Sequence, residues 1–258
     1  MRVLFIGDIF GKPGRRAFAL KLQALRSDEG PFDFVVINCE NAAAGFGMTK
    51  GLMEELFAAG ADVMTSGNHI WDKKEFVHAL DEEQRVLRPA NYPSGTPGRG
   101  FGLFVKDGLK LGVVNIQGRA FMPPIDCPFK AAEHALRELG DVPALVDFHA
   151  EATAEKVAMA RYLDGRVSAL VGTHTHVQTA DNAVLPGGTA FITDAGMTGS
   201  HAGVIGMKYS SVLPKFLLGI PTKFEVEEAT PHVQGVVIDI DEETGRATDI
   251  RRIDVPAD

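Results

Sequence analysis

Arg2-Val3-Leu4-Phe5-Ile6-Gly7-Asp8, residues 2–8, carries an apolar run straight into a glycine and a carboxylate. A short apolar run rich in β-branched and aromatic side chains, stopped by a turn residue, reads as a buried strand. The pattern recurs along the chain. Phe34–Ile37 runs into Asn38-Cys39-Glu40-Asn41, and Val63–Thr65 into Ser66-Gly67-Asn68-His69. Ala144–Phe148 runs into His149, and Ala169–Val171 into Gly172-Thr173-His174-Thr175-His176. Leu111–Ile116 and Ala190–Thr193 read as two further strands.

Helical patterns lie between several of these runs. Pro13 suits a first helical position, with Leu20, Leu22 and Leu25 inside the helix and Gly30 ending it. Thr49 is placed to cap a helix carrying Leu52, Met53, Leu56 and Phe57 up to Gly60. Thr153 is placed to cap another, with Val157, Met159 and Leu163 before Gly165. From Lys223 onward the pattern alternates through Val233–Ile240 and Asp249–Ile253 around Asp-Glu-Glu-Thr-Gly, which predicts an antiparallel hairpin. Strand–helix units in front and mixed or antiparallel sheet behind predict an α/β fold, a four-layer sandwich of two mixed β-sheets flanked by helices. One domain spanning 1–258 is expected, since α/β domains of about 250 residues are routine.

Composition narrows the function. With 45% apolar and 23% charged residues, the chain reads as an ordinary globular protein. A net charge of −8 and the lack of any Lys/Arg run argue against duplex nucleic acid as a partner. Two cysteines, Cys39 and Cys127, exclude a disulfide framework and a cysteine-built zinc site. No apolar stretch approaches the ~20 residues of a membrane span, and no signal-peptide pattern is present. A cytoplasmic protein with no membrane partner is therefore expected, and a homo-oligomer is left open.

In open α/β sheets, ligands bind outside the carboxyl ends of strands. Five strand ends deliver Asp8, Glu40, Asn41, Asn68, His149, His174 and His176 to that place. Singly, most have a plainer reading: Asp8 as a helix cap, Asn41 and Asn68 as turn residues, His149 as a satisfied core histidine. Glu40 is the exception, because a carboxylate after an apolar strand is costly to bury unpaired. His174 and His176, two apart on an extended segment, face one side. Carboxylate, amide and imidazole donors together suit metals such as manganese, iron or zinc. Seven candidate ligands are too many for one tetrahedral ion and match two ions sharing a carboxylate. Bound cations would also make an anionic substrate acceptable to an acidic chain.

Other residues are weaker candidates. Arg119, after a strand, could pair with a phosphate oxygen, and His201, in the Gly-rich segment 196–206, could line a substrate cleft. Cys39 reads as packing at a strand end, and His78 and His134 as solvated surface. His232 has no recognisable partner, and Trp71 either stacks on a base or covers the site.

Six blocks then match a known pattern. Gly7-Asp8, "NCEN" at 38–41, "GNHIW" at 67–71, "DFHAEAT" at 147–153, "GTHTHVQTAD" at 172–181 and "ITDAGMTG" at 192–199 resemble the metallophosphoesterase (calcineurin-like) superfamily. More closely they resemble its YmdB-type branch of bacterial cyclic-nucleotide phosphodiesterases. Ile9-Phe10 follow Asp8 where the superfamily usually has Asp-x-His, and Glu40 stands where it usually has a bridging Asp; both departures suit the branch. The resemblance implies that Asp8, Glu40, Asn41 and His176 hold one ion and Glu40, Asn68, His149 and His174 the other. It implies two divalent or trivalent metal ions per chain, iron or manganese, and His69 as general acid. The substrate implied is a small phosphodiester, a 2′,3′- or 3′,5′-cyclic nucleotide, attacked in line by a metal-bridging hydroxide. The alternatives are a phosphomonoesterase or nucleotidase on the same scaffold, a metal-dependent amidohydrolase, or a non-catalytic metal-binding regulatory protein. The late HxH pair disfavours the amidohydrolase.

Overall fold

The computed structural model describes residues 1–257. Its strands are β1 (Arg2–Ile6), β2 (Asp8–Ile9), β3 (Phe34–Asn38), β4 (Val63–Thr65), β5 (Phe101–Lys106), β6 (Leu109–Gln117), β7 (Ala144–His149), β8 (Ala169–Thr173), β9 (Ala183–Val184), β10 (Ala190–Ile192), β11 (Met197–Ser200), β12 (Pro231–Ile240) and β13 (Ala247–Pro256). Its helices are α1 (Gly11–Asp28), α2 (Lys50–Ala59), the single turn α3 (Ala79–Glu82), α4 (Pro128–Leu139), α5 (Thr153–Leu163) and α6 (Tyr209–Leu218). A seven-stranded sheet has the order β2-β11-β12-β1-β3-β4, with β13 also paired to β12. A six-stranded sheet has the order β5-β6-β7-β8-β10-β9. Both are mixed, each with a run of parallel pairings, β1–β3–β4 in one and β6–β7–β8–β10 in the other.

The layers follow from the two-residue period of a strand. In β1, Val3 and Phe5 point into an apolar layer shared with Leu111, Val113, Leu145 and Val171 of the other sheet. Leu4 and Ile6 point the opposite way, onto Phe18, Leu22 and Leu25 of α1 and Leu56 of α2. The second sheet repeats this outward, with Val146 and Phe148 packed on Ala132 and Ala135 of α4 and Met159 and Leu163 of α5. The result is helix–sheet–sheet–helix, the predicted four-layer sandwich. Strands covered on both faces have no solvent-facing side, so they read as continuous apolar runs rather than alternating ones.

Thr49 caps α2 as predicted, its side chain accepting from the Leu52 N–H, and Gly60 closes that helix in the left-handed region. Other local expectations need correction. Helix α1 starts at Gly11, so Pro13 is its third residue, where a missing N–H still costs nothing because first-turn N–H groups have no helical partner. Leu20 lies within that helix as expected, on its solvent face. Ala152, not Thr153, holds the N-cap position of α5, and no side chain caps it. The C-terminal hairpin forms, but it is not a separate sheet: β12 lies antiparallel between β1 and β11. Strands β2, β5, β9 and β11 and helices α3, α4 and α6 have no counterpart in the sequence reading. Among the described residues, no helix is long and apolar enough to cross a membrane.

Candidate metal centre

The two sheets bring different chemistry to one rim. The seven-stranded sheet supplies oxygen donors: Asp8 starts β2, Glu40 and Asn41 follow β3, and Asn68 follows β4. The six-stranded sheet supplies imidazoles: His149 ends β7, and His174 and His176 follow β8. Single ligand atoms of Glu40, His149 and His174 lie within 4.8 Å of one another. Beside them, Asn41 Nδ2 lies 3.3 Å from Asp8 Oδ1, 3.2 Å from Glu40 Oε1 and 3.2 Å from His176 Nε2. Six of the seven sequence-predicted ligand residues thus meet around one centre; the seventh, Asn68, makes no side-chain hydrogen bond to the others, and its Oδ1 is buried without a hydrogen-bond partner.

The outer bonds of the three imidazoles fix which nitrogen is bare. Thr173 Oγ1 donates to Asp147 Oδ1 at 2.7 Å, so it must accept from His149 Nδ1–H at 2.9 Å. His174 Nε2 lies 3.2 Å from the Glu151 carboxylate and donates to it. His176 Nδ1 donates to the Ile205 carbonyl at 3.3 Å. Each ring therefore aims a lone pair inward. His149 Nε2 faces Glu40 Oε1 at 3.0 Å and His174 Nδ1 at 3.1 Å. Three acceptor atoms this close repel unless a proton or a cation lies among them. Together with the orphaned Asn68 Oδ1, the donor set fits metal ions, and carboxylate- or carbonyl-anchored histidines are the usual outer shell of such sites.

In the metal-free chain, protons do this work. Burial acts to lower His149, but the facing Glu40 carboxylate lifts it to about 9. Burial acts to raise Glu40, yet His149 draws it down to about 2. His174 falls to about 3 through burial and the charge on His149. Asp8 is pushed up by burial against the pull of His176 and His149. A dication among these groups would hold both carboxylates ionised and the imidazoles neutral.

The backbone is shaped for this crowding. A Cβ on Gly67 would stand 2.2 Å from His149 Nε2 and 2.5 Å from Glu40 Oε2, so glycine is required there. His174 and His176 have φ of +101° and +65°, in the left-handed region that non-glycine residues rarely enter. Strain of this kind concentrates at functional sites where the surroundings over-determine the backbone. The surroundings here are a buried ion pair: Lys156 Nζ on α5 donates to Asp194 Oδ2 at 2.7 Å and to the Thr173 carbonyl at 2.8 Å. Asp194 in turn accepts from the Thr175 N–H and hydroxyl and from the Gly196 N–H. His69 stands at the mouth of the centre. Its N–H donates to Glu40 Oε2 at 3.0 Å, and its Nδ1 pairs with Asp72 Oδ2 at 2.9 Å, which leaves Nε2 free.

A cavity of about 380 Å³ opens over the centre, touching Glu40, Asn41, His69, His174 and His176. Two weaker candidates are not in it. Arg119 is exposed, and its backbone N–H is taken by Glu155. His201 lines a separate shallow pocket, with its Nε2 on the Met197 carbonyl and its ring stacked on His232 at 4.7 Å. His232 does have partners, that ring and Asp254 at 2.8 Å. Trp71 meets Tyr92 edge-on at 5.1 Å and does not line the cavity, and Cys39 is buried packing as expected. Sequence reasoning missed Asp72, Glu151, Lys156 and Asp194. Asp72 lies three residues after His69, a spacing that flags a carboxylate partner; Glu151 pairs with the distant His174, which no spacing reveals, and nothing distinguishes Lys156 from an ordinary helix lysine.

A rim of carboxylates, amides and imidazoles at the strand ends of a double-sheet sandwich defines a metallophosphoesterase-type protein. The Haemophilus influenzae NAD nucleotidase shares the fold, with a TM-score of 0.61 at 14% identity over 99% of this chain and 56% of that one. The chain itself belongs to the YmdB-like protein family, whose model matches residues 4–253. It is 48% identical over 255 residues to a Bacillus subtilis 2′,3′-cyclic-nucleotide 2′-phosphodiesterase, covering 98% of this chain and 96% of that protein. A Thermus thermophilus protein of known structure superposes over the whole of both chains, with a TM-score of 0.94 and 44% identity.

Proposed function

We propose that this chain is a metal-dependent phosphodiesterase acting on cyclic nucleotides, 2′,3′-cyclic ones first and 3′,5′-cyclic ones on the same centre. The observation that carries this reading is the inward convergence of Glu40, His149 and His174 lone pairs beneath an open cavity. The likeness to the Bacillus subtilis phosphodiesterase supports the substrate class. Asp8, Glu40, Asn41 and His176 would hold one ion and Glu40, Asn68, His149 and His174 the other, with iron or manganese suited to the donor chemistry. Bound ions supply Lewis acidity and an ionised water at neutral pH.

The chain's own residues do the rest. Asp72 holds the His69 ring so that Nε2 is directed away from its carboxylate and into the cavity. His69 Nε2–H donates its proton to the ribose oxygen as the P–O bond breaks, while the Asp72 carboxylate holds the ring by Nδ1. The Asp147–Thr173 pair and Glu151 keep the His149 and His174 rings in the orientation in which they can act as ligands. Two measurements test the reading together: elemental analysis of the purified protein, and turnover of 2′,3′-cyclic AMP against the corresponding monophosphate. Two metals per chain with diester turnover is the expected result. A protein that carries no metal after reconstitution, or that cleaves only the monoester, refutes it.

A further inference from the structure

The far wall of the cavity is apolar and belongs to the segment 203–226, which contains α6. Ile205, Phe216 and Phe224 line it, and Phe46 continues it to the metal centre, its ring edge-on to His69 at 5.0 Å. Phe216 is 77% exposed, so its apolar side chain at the cavity is open to a ligand. Ile205 is held at φ +43°, a genuine outlier for a β-branched residue. That strain lets one residue do two things: its carbonyl takes the His176 Nδ1–H, and its side chain stands half-exposed at the cavity. Among the described residues, Lys215 carries the only polar side chain that this segment contributes to the cavity, and its Nζ sits over the Phe224 ring at 5.1 Å.

We propose that this wall seats the base of the cyclic nucleotide by stacking and apolar contact, and that it does not discriminate among the four bases. The inference rests on the phosphodiesterase reading above. A phosphodiester at the metal centre has its organic part within reach of the wall, because the cavity is continuous from His174 to Phe216. Every base offers a π-face, so stacking tolerates all of them. Strong discrimination needs paired donors and acceptors matched to one base edge. Lys215 is a donor only, and each of the four bases carries an acceptor.

The test compares kcat/KM for the four 2′,3′-cyclic nucleotides and for a base-free probe, methyl ribofuranoside 2,3-cyclic phosphate, in wild type and Phe216→Ala. The four nucleotides are expected within about fivefold of one another, and the base-free probe about tenfold or more below them, mainly through KM, as base–aromatic stacking predicts. In Phe216→Ala the ratio of nucleotide to base-free kcat/KM is expected to fall about tenfold. A base-free probe cleaved as well as the nucleotides overturns the proposal and leaves the phosphodiesterase reading standing. So does a preference for one base above about a hundredfold, or an unchanged ratio in the variant. No turnover of any cyclic diester by the metal-loaded protein refutes both.

Discussion

The metal rim and the α6 wall meet in one cavity and are built in opposite ways. On the rim, Asp8, Glu40 and His149 are fully buried, each fixed by two or more partners from other strands. On the wall, Phe216 stands largely in solvent, as do Leu217 and Leu218 beside it on α6, and Pro214 lies inside the helix that carries them. Chemistry that depends on sub-ångström placement sits on strand ends locked between two sheets. Contact with an organic group needs only apolar area, which a loosely held helix supplies. The contrast makes a ranked set of expectations, since a change on the rim should cost far more than one on the wall.

The largest effect is expected at Glu40, whose two oxygens serve His149 and the His69 N–H in the metal-free chain. Glu40→Gln keeps the shape and removes the charge that both ions would share. It should lose metal at both positions and essentially all turnover, which elemental analysis and a diester assay read directly. Retention of two metals per chain would refute the shared carboxylate. Gly67→Ala comes next and alters no ligand. Its methyl would overlap the His149 ring and Glu40, so something must shift. A displacement of about 1 Å costs on the order of a hundredfold in rate, and metal content should drop with it. Full activity in this variant would show the rim to be far softer than its packing implies.

Lys156→Met is expected to act from behind the rim. Removing one partner of a buried ion pair costs on the order of 3–5 kcal/mol; here the lower end applies, because Asp194 keeps the Thr175 and Gly196 donors. Thermal melting should register the loss, and metal affinity should fall because the His174–His176 turn loses its brace. His69→Ala should retain its metals and melt like wild type, and lose about 10²–10⁴ in rate on ribose leaving groups. The loss should be smaller on nitrophenyl esters, which leave without a proton. Equal losses on both substrates would remove His69 from the proton-transfer role.

How much of this was legible in the sequence follows the same divide. The strand ends were readable because both signals, an apolar run and the polar residue after it, are local. Their convergence in one place could be expected from the parallel-sheet rule, and six of the seven candidate donors do meet there. Strands β2, β9 and β11, two to four residues long, exist only through their partners and leave no periodic trace. Helix α6 was hidden by its internal proline. Lys156 could not be found because burial, not residue type, makes it special. Arg119 and His201 do not line the cavity, and one physical reason kept their sequence reading open: lying in a loop near a strand end does not decide where a side chain points. The Arg119 backbone is tied to Glu155, and His201 turns toward His232.

The smallest global effect is expected at Pro214. It is the sixth residue of α6, past the first turn, so it removes one helical hydrogen bond and crowds the preceding turn. Replacing an interior helical proline with alanine favours the helix locally by up to about 3 kcal/mol. If the wall opens independently of the double sandwich, that gain is confined to the local equilibrium and the global melting temperature hardly moves. Amide hydrogen exchange is the measurement that separates the two. Pro214→Ala should slow exchange across 209–218 and leave the amides of β1, β3 and β8 unchanged. A rise of several degrees in the melting midpoint would mean instead that the wall unfolds together with the sheets. The rim and the wall would then be one cooperative unit, and the soft recognition surface beside a rigid centre would not exist.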